Sequence, residues 1–196
     1  MTKRILKNTI VVSIIGLLCF IVYSLSSVNH KYIPPVDHEK CVALLAQTKK
    51  PVDEIGQLFY NYMRIAQKTV NKVKDDGSPD SDPRDVDSIE YLDSTLHSEI
   101  MKDINAIEAL EEIDKSLNIK NGAIDVLNGI NIIVRKFTPM VAAISEHRFN
   151  NGNSRENMIA DLDKNQMLSG NVSLSMKRFK KKYNISDEEL KKYHNN

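Results

Sequence analysis

Three oxygen-bearing side chains stand at alternate positions in the last quarter of the chain. Asp161, Asp163 and Asn165 match the spacing of the first, third and fifth ligands of an EF-hand calcium loop. The sequence then departs from that loop, because Gln166 replaces the turn glycine and Val172 replaces the bidentate glutamate. The pattern therefore favours the polar end of a helix over a calcium site.

A second group of acids lies between residues 75 and 87, where six aspartates accompany a glycine and two prolines. Clustered carboxylates attract hard cations such as Ca²⁺. This segment also fails the EF-hand spacing, because Arg84 follows Asp80 and Asp82 and no glycine stands at the sixth position. We therefore predict a solvated acidic loop.

Asp93 and His97 are four residues apart and would share one face of a helix, where they could form half of a metal site. The sequence offers no second half, so a surface contact is the simpler interpretation. No nucleophile elbow, phosphate-binding loop, dinucleotide-binding glycine pattern or Cys-His nucleophile signature occurs. We therefore predict no catalytic residue, no metal and no cofactor, and a protein that is not an enzyme.

A basic run interleaved with two aromatic residues lies near the C-terminus, and such a run can bind anionic partners. Its charged members are Lys177, Arg178, Lys180, Lys181 and Lys182. They are candidate contacts for a protein partner or for lipid headgroups. A solvated face, or docking on the chain's own acidic residues, is the simpler alternative. Nucleic-acid binding is not expected, because the N-terminal segment described next predicts export.

The N-terminal segment has the pattern of a membrane anchor. Twenty residues from Thr9 to Val28 carry no charge, and a helix of that length spans about 30 Å, the thickness of a bilayer core. Three basic residues, Lys3, Arg4 and Lys7, precede it. The positive-inside rule then predicts a cytoplasmic tail (1–8), a transmembrane signal-anchor helix (9–28) and export of the remainder.

Two other fates of this segment remain open. A cleavable signal peptide would use Ser24 and Ser26 as the small residues before a cut, giving a mature chain that starts at Ser27. Lipid attachment is disfavoured, because Leu18 precedes Cys19 where a small residue is needed. All three alternatives predict export.

Beyond the anchor, Pro34-Pro35 predict an extended linker over 29–36, followed by a helical domain over 37–196. We expect a short first helix whose Cys41 is buried in the core of the domain, and a second helix that starts at Pro51. The clearest apolar stripe predicts a third helix of about thirty residues, since its steps of three and four follow the helical period. The stripe consists of Ile89, Leu92, Leu96, Ile100, Ile104, Ile107, Leu110, Ile113 and Leu117.

The last third of the chain is also predicted to be helical. A more apolar helix precedes Pro139, which should kink or restart it with Thr138 as the cap. Two further helices, the second of them basic, should end at a break at Asn184. Ser186 and Glu189 have the spacing of a capping box for a final short helix. The predicted fold class is all-α, with a single N-terminal transmembrane helix followed by a mainly antiparallel helical bundle.

Charge is strongly polarised along the predicted domain. Residues 75–114 carry fourteen acids against two bases, whereas residues 177–192 carry seven bases against three acids. Such a separation of charge can orient a charged partner protein and increase its association rate.

These features predict a single-pass membrane protein with a cytoplasmic N-terminus and an exported domain that acts by binding a partner protein. The short basic tail, the single span and a helical body rich in Asn, Lys and Ile are typical of a bacterial inner-membrane protein that faces the periplasm. It would serve as an accessory subunit of an envelope complex or as an inhibitor of the immunity-protein type. Three alternatives remain: a ligand-sensing bundle that signals through a partner, a secreted soluble helical protein, and an envelope-spanning coiled coil.

Overall fold

The computed structural model describes residues 37–71, 83–145 and 154–194. The predicted tail (1–8), span (9–28) and linker (29–36) lie outside these residues, as does the predicted acidic loop up to residue 82. The last part of that loop, residues 83–87, belongs to a helix that begins at Pro83, so the loop prediction is wrong there. Within the three described ranges, no helix combines the length and the apolar character needed to cross a bilayer.

Five helices account for most of the described residues, and none of these residues forms a strand. The helices are α1 (His38–Asn71), α2 (Pro83–Glu108), α3 (Ile119–Ser145), α4 (Ser154–Lys182) and α5 (Asp187–His194). They pack as a helical bundle, which confirms the all-α prediction. The membrane helix that should precede the bundle stays a prediction.

The described residues divide into two compact units. The first unit contains 37–50, 107–126 and 166–194, and the second contains 51–71, 83–106, 127–145 and 154–165. In the first unit Cys41 is fully buried, as predicted, together with Leu45 and Phe179. In the second unit the buried residues of α2 are members of the predicted stripe, among them Ile89, Leu96 and Ile100.

Pro51 lies inside α1, so the predicted start of a new helix at this position is wrong. A proline in a helix interior costs about 3 kcal/mol, because one backbone hydrogen bond is lost. Leu45 before it and Ile55 after it are each only 1% exposed. Burying each such side chain contributes about 2 kcal/mol, so core packing on both sides outweighs the cost of the proline.

The helix predicted to run to Leu117 ends instead at Glu108. Lys120 explains where it ends, because its ammonium group donates hydrogen bonds to the carbonyl oxygens of Glu108 (2.7 Å) and Leu110 (2.6 Å). These contacts satisfy acceptors that a helix end leaves unpaired. An irregular segment follows, and Asn118, at a φ of 46°, precedes the first residue of α3.

Pro139 lies inside α3, so a restart at Pro139, with Thr138 as its cap, is also wrong, whereas the alternative of a kink at Pro139 stays a prediction. Thr138 is buried, and its hydroxyl shares a 2.8 Å hydrogen bond with the hydroxyl of Tyr62. Tyr62 is fully buried, and its ring packs near those of Phe59 and Phe137, with centroids 6.4 and 6.2 Å away. Burial raises the pKa of Tyr62, so its hydroxyl remains a neutral partner for Thr138.

The two helices predicted before Asn184 form one continuous helix, α4. Val172, in the part of α4 where the predicted helices should meet, is buried; a Cβ on Gly122 would lie 2.6 Å from one of its methyl groups, so the glycine makes room for Val172. The predicted break after α4 is confirmed, because Asn184 has a left-handed φ of 54°. The capping box is confirmed as well, since Glu189 N donates to Ser186 Oγ and Ser186 N donates to Glu189 Oε2.

Candidate interaction surface

Asp114 is the centre of an ionic cluster in the first unit; its own side chain is only 6% exposed, whereas that of Lys182 is 39% exposed. Its carboxylate accepts hydrogen bonds from Lys182 Nζ (2.6 Å), Ser116 Oγ (2.6 Å), Ser116 N (3.1 Å) and Tyr183 Oη (3.3 Å). A buried carboxylate is tolerated only when it is paired and hydrogen bonded. The cluster therefore fixes the irregular segment that carries Asp114 to the C-terminal end of α4.

Two opposing effects set the ionisation of Asp114. Burial alone would raise its pKa, but the hydrogen bonds from Lys182 and Ser116 and the positive charge of Lys182 lower the pKa to about 2. The same contact raises the pKa of Lys182. Both groups therefore stay charged near neutral pH, and the positive charge of Lys182 is neutralised within the protein.

A second ion pair joins α4 to α5. Lys180 Nζ lies 2.5 Å from Asp187 Oδ1, and the Lys180 side chain is 27% exposed. In the short helix that follows, Glu189 accepts hydrogen bonds from Ser186 and contacts His38 Nε2 at 2.7 Å, which together lower its pKa to about 2. Lys180, like Lys182, is thus paired with an acid of its own chain.

The five basic residues of the predicted contact run do not share one environment. Lys180 and Lys182 are paired as described, and Lys177 is half-buried. Arg178 and Lys181 are exposed and form no hydrogen bond or ion pair through their side chains with any described residue. The prediction that the run contacts a partner or lipid therefore concerns chiefly Arg178 and Lys181.

Two large apolar side chains are exposed on the same helix. Met167 is 70% exposed and Leu174 is 43% exposed. Met167 and Leu174 are followed along the helix by Arg178 and Lys181, and Asn171 lies between the first two. Successive members of this set are four or three residues apart, so all five side chains lie along one face of the helix. We call this face the α4 seam; its members are Met167, Asn171, Leu174, Arg178 and Lys181.

Sequence reasoning singled out the charges of the seam but not its apolar members. The seven-residue spacing of Met167 and Leu174 was readable in the sequence. That spacing is equally expected of core residues, however, and only burial in the folded chain distinguishes the two cases.

His97 is occupied by a hydrogen-bond network in the second unit. Its Nδ1 lies 3.0 Å from Asn131 Oδ1, and its Nε2 lies 3.1 Å from an Arg135 Nη. Because arginine only donates, Nε2 must accept, which assigns the proton to Nδ1. Both ring nitrogens are therefore used, and the described residues contain no group of three or more metal-ligating side chains.

Asp161, Asp163 and Asn165 lie in the interior of α4, so the prediction of a helix end at this position is wrong. Asp161 pairs with Lys136 at 2.5 Å, and Asp163 is exposed. Asn165 is buried, and a Cβ on Gly129 would lie 2.0 Å from its Oδ1, so the glycine makes room for this side chain. The three side chains therefore lie in different environments and do not converge on a common cation site.

The topology-determining residues Lys3, Arg4 and Lys7 lie outside the described residues. Comparisons with protein-family models, with curated proteins and with solved structures give no match to this chain.

The ionic cluster predicts a loss of stability in acid. Asp114 and Glu189 have lower pKa values in the folded chain than their ordinary values of 3.8 and 4.5. Their stabilising contribution is therefore complete above about pH 5 and is lost as the pH falls towards 2. For the nearly buried Asp114 this contribution is about 2 kcal/mol.

The variant Asp114→Asn should lose about this free energy of unfolding at pH 7 and should show a flatter pH dependence between pH 5 and 2. Urea unfolding of the full chain in detergent, followed by circular dichroism, measures both effects. Asp163→Asn, at an exposed position of α4, is the matched control and should behave like the parent. Equal stability of Asp114→Asn and the parent at pH 7 would contradict the assignment.

Proposed function

We propose that this chain is a single-pass inner-membrane protein whose periplasmic helical domain binds a partner protein. It acts as an accessory subunit of an envelope complex or as an inhibitor of the immunity-protein type. The observation that carries the proposal is the α4 seam, where exposed Met167 and Leu174 adjoin the two exposed cations Arg178 and Lys181.

The composition of the α4 seam supports protein binding. Methionine and arginine are enriched in protein interfaces relative to other surfaces, and exposed apolar groups flanked by polar ones mark interaction sites. Unbranched methionine also adapts its shape to a partner. The cations at the C-terminal end of the seam would orient an acidic partner and speed its association.

The number of exposed cations favours a protein over a lipid surface. Each Lys or Arg near an anionic membrane contributes about 1 kcal/mol, and clusters of roughly four to eight are typical of lipid-binding segments. The basic run would meet that requirement if all five members were available. Pairing of Lys180 with Asp187 and of Lys182 with Asp114 removes two of them.

The N-terminal sequence supports the membrane tether. Its uncharged residues 9–28 are long enough to span a bilayer, and the linker 29–36 reaches at most about 28 Å when fully extended. A domain held on such a linker stays close to the periplasmic face of the membrane. Its partner would then be a membrane protein or a protein recruited to that surface.

The tether predicts an uncleaved chain in the membrane fraction. Mass spectrometry of the protein purified from membranes should detect peptides from the basic tail, with Lys3, Arg4 and Lys7 present. A C-terminal tag should be digested by protease added to spheroplasts. A mature chain that starts at Ser27 in the soluble periplasmic fraction would contradict the tether.

Partner binding predicts site-specific crosslinking in cells. A photoreactive amino acid at Asn171, in the middle of the α4 seam, should yield one discrete protein adduct on irradiation of cells that express the full chain. Asn128, an exposed asparagine on α3, is the matched control position and should yield none. Mass spectrometry identifies the crosslinked protein.

Two results would contradict partner binding through the α4 seam. One is the absence of any protein adduct at Asn171, including the case in which only lipid is captured. The other is the same set of adducts at Asn171 and Asn128, which would indicate random collision.

A further inference from the structure

A second exposed seam lies on α2, in the second unit. Tyr91 is 72% exposed and Met101 is 40% exposed, and both lie on the solvent face of the helix. Three exposed polar residues lie on the same face. Successive members of this set are four or three residues apart, as in the α4 seam. We call this face the α2 seam; its members are Asp87, Tyr91, Ser94, Ser98 and Met101.

Alternating steps of three and four residues are the spacing with which two helices pack side by side. The two seams also differ in charge, since the α2 seam has an acid at its N-terminal end and the α4 seam has two bases at its C-terminal end. An antiparallel alignment brings these oppositely charged ends together. It therefore matches both the spacing and the charge.

Complementary side chains meet at four of the five layers of that alignment. The first layer is an ion pair at the charged ends, and the second sets a guanidinium group against an aromatic ring. The third layer, a leucine against a serine, is the one without complementary groups. The fourth sets an amide against a hydroxyl, and the fifth sets two methionines against each other. In order, the layers are Lys181 with Asp87, Arg178 with Tyr91, Leu174 with Ser94, Asn171 with Ser98, and Met167 with Met101.

A parallel alignment matches less well. When the steps of the two seams are matched in parallel, Met167 is set against Asp87, Arg178 meets Ser98 and Lys181 meets Met101, so neither base faces an acid. The charged ends of the seams thus select the antiparallel register.

We infer that the α4 seam binds the α2 seam of a second copy of this chain, with the two helices antiparallel. The inference rests on the proposed function of the α4 seam as a protein-binding face, and it names the partner as a further copy of the same protein.

The contact is small, which sets its expected strength. Five layers of a helix pair extend over about 21 Å, and with two large apolar side chains on each helix the area lies below that of a stable dimer. The association is therefore weak in dilute solution. Tethering of both copies to one membrane raises their effective concentration and allows a weak contact to form.

The contact is heterologous, because different faces of the two copies meet. Each pair leaves one α2 seam and one α4 seam available, so copies add head to tail and form a ring or an open row. A protein of this kind would form an oligomeric platform at the membrane surface.

Disulfide crosslinking between differently tagged copies of the full chain tests the register. The two copies are purified and reconstituted together in phosphatidylcholine vesicles, which contain no other protein. One pair combines Ser98→Cys in one copy with Asn171→Cys in the other, and a second combines Ser94→Cys with Leu174→Cys. Ser94→Cys with Lys181→Cys, displaced by seven residues, is the matched control, and the parent pair measures background from Cys19 and Cys41.

Mild oxidation should give a reducible product that carries both tags for the two in-register pairs, and only background for the displaced pair. Asp87→Lys in the Ser98→Cys copy, or Lys181→Asp in the Asn171→Cys copy, should each lower the yield by about threefold. Combining the two reversals should restore it. Circular dichroism of each variant confirms that helix content is unchanged.

Equal yields at in-register and displaced positions, or yields at background in all pairs, would overturn the inference. Charge reversals that are not rescued in combination would overturn the register. The outcome is separable from that of the proposed function: if these vesicles give no product while Asn171 captures a different protein in cells, partner binding stands and self-association is excluded.

Discussion

The ion pair between Asp114 and Lys182 is the interaction on which the first unit depends most. Asp114 is nearly buried, and an unpaired carboxylate in that position would lose its hydration without compensation. Its hydrogen bonds to Lys182, Ser116 and Tyr183 join the segment between α2 and α3 to the end of α4. Removal of Lys182 would leave the nearly buried Asp114 without its counter-ion, so the pair stabilises the first unit.

The same pair determines which part of the basic run is available for binding. Asp114 and Asp187 neutralise Lys182 and Lys180, whereas Arg178 and Lys181 remain exposed beside Leu174 and Met167. A surface that would otherwise have the charge density of a lipid-binding segment becomes a mixed apolar and basic stripe, which suits a protein partner. The ion pairs that stabilise the first unit therefore also determine which bases of the run remain exposed for binding.

Local sequence patterns predicted the helices and some of their ends. The buried residues of α2 follow the apolar stripe, and the break at Asn184 and the capping box of Ser186 and Glu189 are confirmed. The predicted starts of new helices at Pro51 and Pro139 were wrong, because a proline cost of about 3 kcal/mol is smaller than the free energy gained by burial on its two sides.

Contacts between residues distant in sequence could not be predicted in this way. Asp114 and Lys182 are 68 positions apart, and no local pattern pairs them. The apolar stripe predicted a helix that extends through Asp114 to Leu117, whereas Asp114 lies in an irregular segment and is nearly buried. Exposure of Met167 and Leu174 is likewise a property of the folded chain, since the same spacing would suit a buried stripe.

Native-state lysine acetylation measures whether Lys182 is held by Asp114 while Lys181 remains available. The full chain in detergent is labelled with a limiting amount of acetylating reagent near neutral pH, and modification of each lysine is quantified by mass spectrometry. Only a neutral amine reacts, so Lys182, whose pKa is raised by Asp114, should react more slowly than exposed Lys181. In Asp114→Asn, Lys182 should approach the rate of Lys181. Equal reactivity of Lys181 and Lys182 in the parent protein would contradict the account.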